Sequence, residues 1–197
     1  MQLFSKTPSE KDIIAGCVQG KAKYQSLLYE KYGGKMFATC LRYASDYHSA
    51  EDVLQEGFIK VYSNIEKYRN EGSFEGWMRR IFVNTAIELI RKNTAFYELS
   101  ETDTSNGEWH TPLENGFDGL AAQDLMDIIQ SLSVGYRTIF NLYAIEGYTH
   151  KEIAELLNIN EGTSKSQLAR ARYLLQKRLE EQYKQKEGLY VETTSHR

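Results

Sequence analysis

The chain has 197 residues, of which 41% are hydrophobic and 26% are charged, a composition typical of one or two folded domains. No window holds the roughly 18 apolar residues that a membrane span requires, and no leader-type segment opens the sequence, so we expect a cytoplasmic protein without direct membrane insertion. Two isolated cysteines and four scattered histidines predict neither a disulfide framework nor a metal site.

The net charge of -3 conceals an uneven distribution of charged residues along the chain. Residues 1–92 carry 14 basic and 11 acidic side chains, and residues 131–197 carry 10 basic and 8 acidic ones. Between them, residues 93–130 carry 8 acids and no Lys or Arg. An acidic connector therefore separates two mildly basic parts, so the acidic average does not argue against a nucleic-acid partner.

The connector is also rich in Ser, Thr, Asn and Gly, contains Pro112 and shows no sustained apolar period. These features predict an acidic flexible linker at residues 95–119. The linker would join a first domain at residues 1–94 to a second domain at residues 120–187, and residues 188–197 would form a tail.

Apolar residues recur at helical spacing on both sides of the linker, which predicts an all-α protein. Five helices are expected in the first domain, at residues 9–18, 24–32, 35–43, 49–62 and 73–92. A capping box of Ser9 and Asp12 opens the first helix. Gly33 and Gly34 predict a break between the second and the third. Together these helices would form an N-terminal helical bundle.

The second domain contains a short helix, a tight turn and a longer helix, preceded by helices at residues 125–132 and 136–143. Thr149 and Glu152 form a capping box before "HKEIAELL", "NIN" is the turn, and the longer helix begins near Thr163. This is the pattern of a helix-turn-helix within a C-terminal bundle. A helical wheel of about 100° per residue gives the longer helix two sides. The apolar side carries Leu168, Ala171, Leu175 and Leu179, and the polar side carries Lys165, Ser166, Ala169, Arg170 and Tyr173.

The polar side of the longer helix has small side chains and one cation in its first turn. Such a face lets the backbone and short side chains approach a major-groove edge and its phosphates. The same residues could instead form a solvated helix face capped by Thr163, and for an isolated pair of helices this alternative is the commoner one.

Three segments, taken together and in this order, closely resemble one bacterial family. They are "AEDVLQEGFIKVY", "GSFEGWMRRIFVNTAIELIRK" and "EGYTHKEIAELLNINEGTSKSQLARARYLLQKRL". They are similar to RNA polymerase sigma factors of the sigma-70 family, in the small two-domain extracytoplasmic-function (ECF) group. Ser133 and Val134 stand where the family usually has a proline after the leucine. Gln167 and Ala169 replace an Arg and a bulkier residue, which bears on the strength of minus-thirty-five readout.

The resemblance implies that the first domain binds core RNA polymerase through an acidic ridge formed by Asp52, Gln55 and Glu56. The spacing i, i+3 and i+4 places these side chains on one face of a helix, opposite an apolar stripe. There they could pair with basic side chains of the polymerase. A solvated acidic face is the alternative that the residues alone leave open.

The resemblance also implies that the first domain melts the minus-ten promoter element. Unstacked bases need aromatic or planar polar groups beside cations for the phosphates, and residues 68–92 supply both. The implied minus-ten contacts are Tyr68, Arg69, Phe74, Trp77, Arg80, Asn84, Arg91 and Lys92. Asn84 matches the family position near the flipped base, whereas Trp77 lies on the apolar stripe and could be a core residue.

The second domain is implied to dock its helix-turn-helix on the minus-thirty-five element. The implied contacts are Thr163, Lys165, Ser166, Ala169 and Arg170. The acidic linker, with its aromatic residues Tyr97, Trp109 and Phe117, would occupy a basic channel built for the RNA transcript. An inert tether is the alternative for the linker.

The implied partners are core RNA polymerase, promoter DNA as duplex and as melted single strand, and an anti-sigma factor, which could be membrane-anchored. The sequence contains no convergent nucleophile, base or metal-ligand set, so we expect no catalytic residue, no metal and no cofactor. The residues leave two other classes open. One is a stand-alone helix-turn-helix regulator that binds duplex operators without polymerase, and the other is an enzyme, such as a small helical hydrolase, for which no such set is found.

Overall fold

The computed structural model of the chain describes residues 8–92 and 126–194. The chain divides into two units, of which the first includes residues 8–89 and the second includes residues 126–194. All regular secondary structure in the described ranges is helical, which confirms the all-α prediction. The predicted linker at residues 95–119 lies outside the described residues.

The first unit contains four α-helices and one short 3-10 turn. These are α1 (Glu10–Val18), α2 (Ala22–Tyr43), α3 (Tyr47–Asn64), the 3-10 turn Ile65–Lys67 and α4 (Phe74–Lys92). The Ser9–Asp12 capping box that the sequence predicts is present at the start of α1. Asp46 caps α3, because its side chain accepts a hydrogen bond of 2.7 Å from the Ser49 amide. Local side-chain caps therefore define where these two helices begin.

Helix α2 is continuous, and the break predicted at Gly33 and Gly34 does not occur. Buried residues recur along it with a spacing of four, at Leu28, Tyr32, Met36 and Cys40. This unbroken apolar stripe runs past both glycines, so burial on either side outweighs the roughly 1 kcal/mol that a glycine costs inside a helix.

Helices α3 and α4 meet where the Phe82 ring of α4 packs on a glycine of α3. A Cβ atom placed on Gly57 would lie 2.3 Å from a ring atom of Phe82, so only glycine fits between the two helices in this arrangement. The Phe82 ring also packs edge-to-face on Phe58, with 5.2 Å between the ring centroids. Helix α3 is held to α2 as well, because the Tyr62 hydroxyl donates a 3.0 Å hydrogen bond to the Gln25 carbonyl. These contacts fix the rotation of α3 about its own axis.

The second unit begins with helical residues 126–130. Next come α5 (Val134–Phe140), one wide π-helical turn (Asn141–Ile145), α6 (His150–Leu157) and α7 (Glu161–Thr194). The core lies between the first helical segment and α7, where Ile128, Ile129 and Leu132 pack with Ala171 and Leu175.

Helix α7 extends beyond the domain end that the sequence predicts. It continues to Thr194, well past residue 187 and into the segment expected to be a tail. Leu179, which the helical wheel places on the apolar side, is 36% exposed. The helical period is right for Leu179, but burial depends on a neighbouring element as well as on the period.

A buried arginine links the start of α5 to the helical segment before it. The side chain of Arg137 is 2% exposed, and its Nη1 donates to the backbone carbonyl and to the side-chain Oε1 of Gln130, at 3.0 and 2.8 Å. Burial lowers the pKa of Arg137 to about 10, so the group stays protonated at neutral pH. A buried cation needs such acceptors, which makes this pair a specific constraint on the packing of the second unit.

Within residues 8–92 and 126–194, no helix is both long enough and apolar enough to cross a membrane. The same ranges hold no group of three or more His, Cys, Asp or Glu side chains with the arrangement of a metal site.

Two glycine substitutions test the packing of the first unit. Gly34→Ala should raise the free energy of unfolding by about 0.5 to 1 kcal/mol, because Gly34 lies inside α2 with open space where a Cβ would be. Gly57→Ala should lower it by about 1 to 3 kcal/mol, because the new methyl group would overlap Phe82. Urea unfolding followed by circular dichroism measures both, and equal effects of the two substitutions would contradict the packing of Phe82 on Gly57.

Candidate polymerase and nucleic-acid interfaces

The acidic ridge predicted on α3 is a solvent-facing surface. Asp52, Gln55 and Glu56 are all exposed, whereas Val53 and Leu54 between them are buried. The structure therefore brings the three predicted core-binding residues together on one side of α3. Carboxylates at this spacing can receive hydrogen bonds from basic side chains of a partner.

Lysine 60 lies between the ridge and α4. Its Nζ is 2.7 Å from Oε2 of Glu88 on α4 and 3.9 Å from Oε1 of Glu56. Lys60 therefore offsets part of the negative charge at one end of the ridge, while Asp52 lies one turn further from it. Lys60 is partly exposed and both carboxylates are exposed, so these pairs contribute little to stability and their main effect is on the local charge.

The loop before α4 is closed by an internal hydrogen bond. The hydroxyl of Tyr68 donates to the carbonyl of Gly72 at 2.8 Å, and the chain turns between them with Asn70 at φ 58° and Gly72 at φ 84°. The Tyr68 ring packs on Phe74 and Trp77, with centroid distances of 5.0 and 5.6 Å. The loop thus has a defined shape, set by one turn and one aromatic cluster.

Phe74 differs from the other predicted minus-ten residues because its side chain is 2% exposed. It stacks on Trp77 at 5.5 Å and meets Tyr32 of α2 edge-to-face at 5.8 Å. In this conformation the Phe74 ring is buried, and its predicted contact with DNA stays a prediction. The aromatic contacts of Phe74 favour its burial, and through its packing on Tyr68 it supports the loop.

The remaining minus-ten candidates lie at or near the surface. Trp77, Tyr68 and Asn84 are partly exposed, and Arg69, Arg80, Arg91 and Lys92 are exposed. At about 100° per residue, Trp77, Arg80, Asn84 and Arg91 lie within a sector of about 60° along α4. Arg79, in contrast, pairs with Glu75 one turn earlier at 3.3 Å. Helix α4 therefore carries a polar stripe with cations near both ends and an amide in the middle.

In the second unit, α6 and α7 form the helix-turn-helix that the sequence predicts. The Thr149–Glu152 capping box opens α6, and Asn158 ends it in the left-handed conformation with φ 55°. A side-chain contact joins the two helices, because Nδ1 of His150 lies 2.9 Å from the Ser164 hydroxyl oxygen. His150 also stacks on Tyr143, with 4.6 Å between the ring centroids. Polar and aromatic contacts together set how α7 leaves the turn.

Ser164 has a structural role that the sequence analysis missed. It is 0% exposed, and its spacing to Leu168, Ala171 and Leu175 continues the buried stripe of α7 by one more turn. The helical period therefore contained the signal for its burial. Its small size and single hydroxyl fit a position where α7 meets His150.

The outer face of α7 carries the predicted minus-thirty-five residues. Lys165, Ser166, Ala169 and Arg170 are exposed, and Thr163 is partly exposed. The guanidinium carbon of Arg170 lies 5.3 Å from the centre of the Tyr173 ring, which extends the same face. The structure thus brings all five predicted residues together on one accessible surface.

Glu161 is a second residue that the sequence analysis missed. It lies in the first turn of α7, and its Oε1 is 2.7 Å from Nζ of Lys165. The hydrogen bond and charge of Lys165 lower the pKa of Glu161, and His150 and Lys151 act in the same direction. Its spacing of four residues from Lys165 was the signal that could have revealed the pair.

Comparisons with known proteins match both units. A family model described as Sigma-70 region 2 matches residues 28–96, and one described as Sigma-70, region 4 matches residues 122–175. Among similar proteins, the ECF RNA polymerase sigma factor SigW of Bacillus subtilis is 33% identical over 159 residues, which cover 75% of this chain and 84% of SigW. The ECF RNA polymerase sigma-E factor of Haemophilus influenzae is 27% identical over 185 residues, which cover 87% of this chain and 96% of that protein.

Among solved structures, the sigma factor RpoE in complex with the anti-sigma factor NepR from Bartonella quintana matches with a TM-score of 0.49 and 20% identity. That match covers 79% of this chain and 96% of the other.

Two helical units, one matching region 2 and one matching region 4, define a two-domain transcription initiation factor. The chain belongs to the sigma-70 family, in its ECF group. Its function is that of a sigma factor, which binds core RNA polymerase and directs transcription initiation at promoters.

Proposed function

We propose that the two units divide the tasks of this sigma factor. The first, residues 1–94, binds core polymerase and melts the minus-ten element, and the second, residues 120–187, binds the minus-thirty-five element. The observation that carries this proposal is the difference between two surfaces of the first unit, the acidic ridge on α3 and the polar stripe with its cations on α4. Surfaces of opposite charge suit a basic protein partner and a nucleic acid respectively.

Docking on polymerase is assigned to Asp52, Gln55 and Glu56. Their exposure on one side of α3 supports direct contact, and the packing of Gly57 on Phe82 holds that side toward solvent. The helix presents its carboxylates without a backbone rearrangement, so the entropic cost of ordering them on binding is small.

Melting is assigned to the loop and the polar stripe of α4. Trp77 and Tyr68 offer partly exposed ring surface on which an unstacked base can lie, and Asn84 offers both a donor and an acceptor to a base edge. The cations of this surface, placed to neutralise backbone phosphates, are Arg69, Arg80, Arg91 and Lys92. Phe74 takes the supporting role that its burial indicates.

Duplex binding is assigned to the outer face of α7. Ser166 and Ala169 are short enough to let the helix approach the groove closely, and Lys165 and Arg170 supply positive charge for phosphates or base edges. The Ser166 hydroxyl donates to the Thr163 carbonyl at 3.1 Å, and its oxygen can still accept from a base or a water. Few contacts imply modest affinity, so promoter recognition depends on polymerase holding both units in place.

The chain acts by binding in this proposal, and no catalytic residue is assigned to it. It works in the cytoplasm, where polymerase and promoter DNA are found. Membership of the ECF group supports an anti-sigma factor as a further partner. The acidic linker in the RNA channel remains a prediction from sequence.

Reversing the charge of the ridge tests both the function and its docking surface. The wild-type chain should comigrate with core polymerase and support initiation from a promoter. Asp52→Lys should lower the affinity for core polymerase at least tenfold, because a charge-assisted contact becomes a repulsion, and comigration should decrease accordingly. Glu30→Lys, an equal charge change at an exposed position of α2, is the control. A stand-alone regulator would instead bind duplex DNA tightly and never comigrate with core.

Substitution of Asn84 tests the melting assignment. Asn84→Ala should reduce open-complex formation several-fold while initial promoter binding by the holoenzyme changes little, because the amide would meet a base only after the strands separate. Permanganate footprinting of the minus-ten region measures the first effect, and binding to the same duplex at low temperature measures the second. Wild-type permanganate reactivity would contradict the assignment.

Removal of Lys165 tests the minus-thirty-five assignment. Lys165→Ala should weaken holoenzyme binding to all promoter sequences and flatten the slope of log affinity against log salt by about 0.9, because one phosphate contact is lost. We favour a phosphate over a base because an ammonium group is a point charge without a bidentate fork. Lys177→Ala, at another exposed lysine of α7, is the control. An unchanged slope with altered sequence preference would assign Lys165 to a base.

A further inference from the structure

Glu161 lies where a DNA-binding surface would be expected to avoid negative charge. It is in the first turn of α7, one helical turn before Lys165, and the two side chains are 49% and 60% exposed. Their atoms Oε1 and Nζ are 2.7 Å apart, within hydrogen-bond distance. The cation that begins the minus-thirty-five face is therefore occupied by a carboxylate of the same helix.

A carboxylate and a phosphate compete for the same ammonium group. Both are oxyanions that accept charge-assisted hydrogen bonds, and the carboxylate also repels a phosphate that approaches it. Because both side chains of the pair are exposed, a phosphate can displace Glu161 without any movement of the helix. An exposed i, i+4 pair is weak, so the competition reduces DNA affinity without abolishing it.

We propose that Glu161 is an intramolecular competitor that lowers the affinity of the second unit for the minus-thirty-five element. Its carboxylate holds Lys165 in the unbound protein and is displaced when a promoter phosphate takes its place. This inference rests on the proposed role of Lys165 in binding DNA. It makes Glu161 a determinant of promoter strength although Glu161 itself makes no contact with a base.

The test compares variants of the full chain, assembled with core polymerase, for binding to a promoter duplex across a salt series. The variants are Glu161→Gln, Lys165→Ala, the double variant and Glu181→Gln. Glutamine keeps the shape of glutamate and removes only the charge. Glu181 is the matched control, because it forms the same kind of pair with Lys177 on the same helix, at 3.9 Å. Thermal unfolding of each variant reports any change in helix stability separately from DNA binding.

Glu161→Gln should tighten binding by roughly two- to fivefold and steepen the salt slope by up to about 0.9, because the positive charge of Lys165 is no longer offset. The gain should disappear in the Lys165→Ala background, and Glu181→Gln should leave binding unchanged. A purely structural role of Glu161 would change the unfolding temperature and leave the salt slope as it is.

Three results would overturn the inference. Unchanged or weaker binding of Glu161→Gln would show that the carboxylate does not compete with DNA. A gain that persists in the Lys165→Ala background would show plain repulsion of DNA instead of competition for Lys165. Wild-type binding by Lys165→Ala alone would show that Lys165 does not contact DNA. In that case the proposed role of Lys165, on which the inference rests, would be wrong.

Discussion

The packing of the Phe82 ring of α4 on Gly57 of α3 is the constraint on which the candidate surfaces of the first unit depend. Side chains on a helix have fixed angular positions about its axis. Packing on one side of the helix therefore also determines which residues face the opposite side. With Gly57 against Phe82, Asp52 and Glu56 must face solvent. The aromatic packing of Phe82 on Phe58 reinforces this rotation. The exposure of the acidic ridge is therefore a consequence of core packing as much as of its own acidic residues.

In the second unit, buried polar groups restrict how the helices pack, as aromatic packing does in the first unit. Arg137 is buried and held by Gln130, and Ser164 is buried against His150. Buried polar groups are costly unless their partners are correctly placed, so they restrict the number of acceptable packings more than apolar groups do. The orientation of α7, and with it the presentation of Lys165, depends on the Ser164–His150 contact together with the apolar packing of Ala171 and Leu175.

Opposite charges are interleaved on the surfaces assigned to partners. Lys60 lies between Glu56 and Glu88 beside the ridge, and Lys165 pairs with Glu161 on the outer face of α7. Such exposed pairs add little stability, but each one moderates the attraction of its surface for a charged partner. Moderate attraction suits a factor that binds polymerase and DNA together.

Local signals in the sequence determined the helical class, the two capping boxes and the helix-turn-helix, because hydrophobic period and capping act between residues only three or four positions apart. Tertiary packing decided the rest. It carried α2 unbroken through Gly33 and Gly34, and it buried Phe74 beneath the loop. It also exposed Leu179, where an apolar side has too few neighbours. Each of these outcomes depends on which element, distant in the sequence, packs against the side chain. A pattern of residues three or four positions apart does not contain that information.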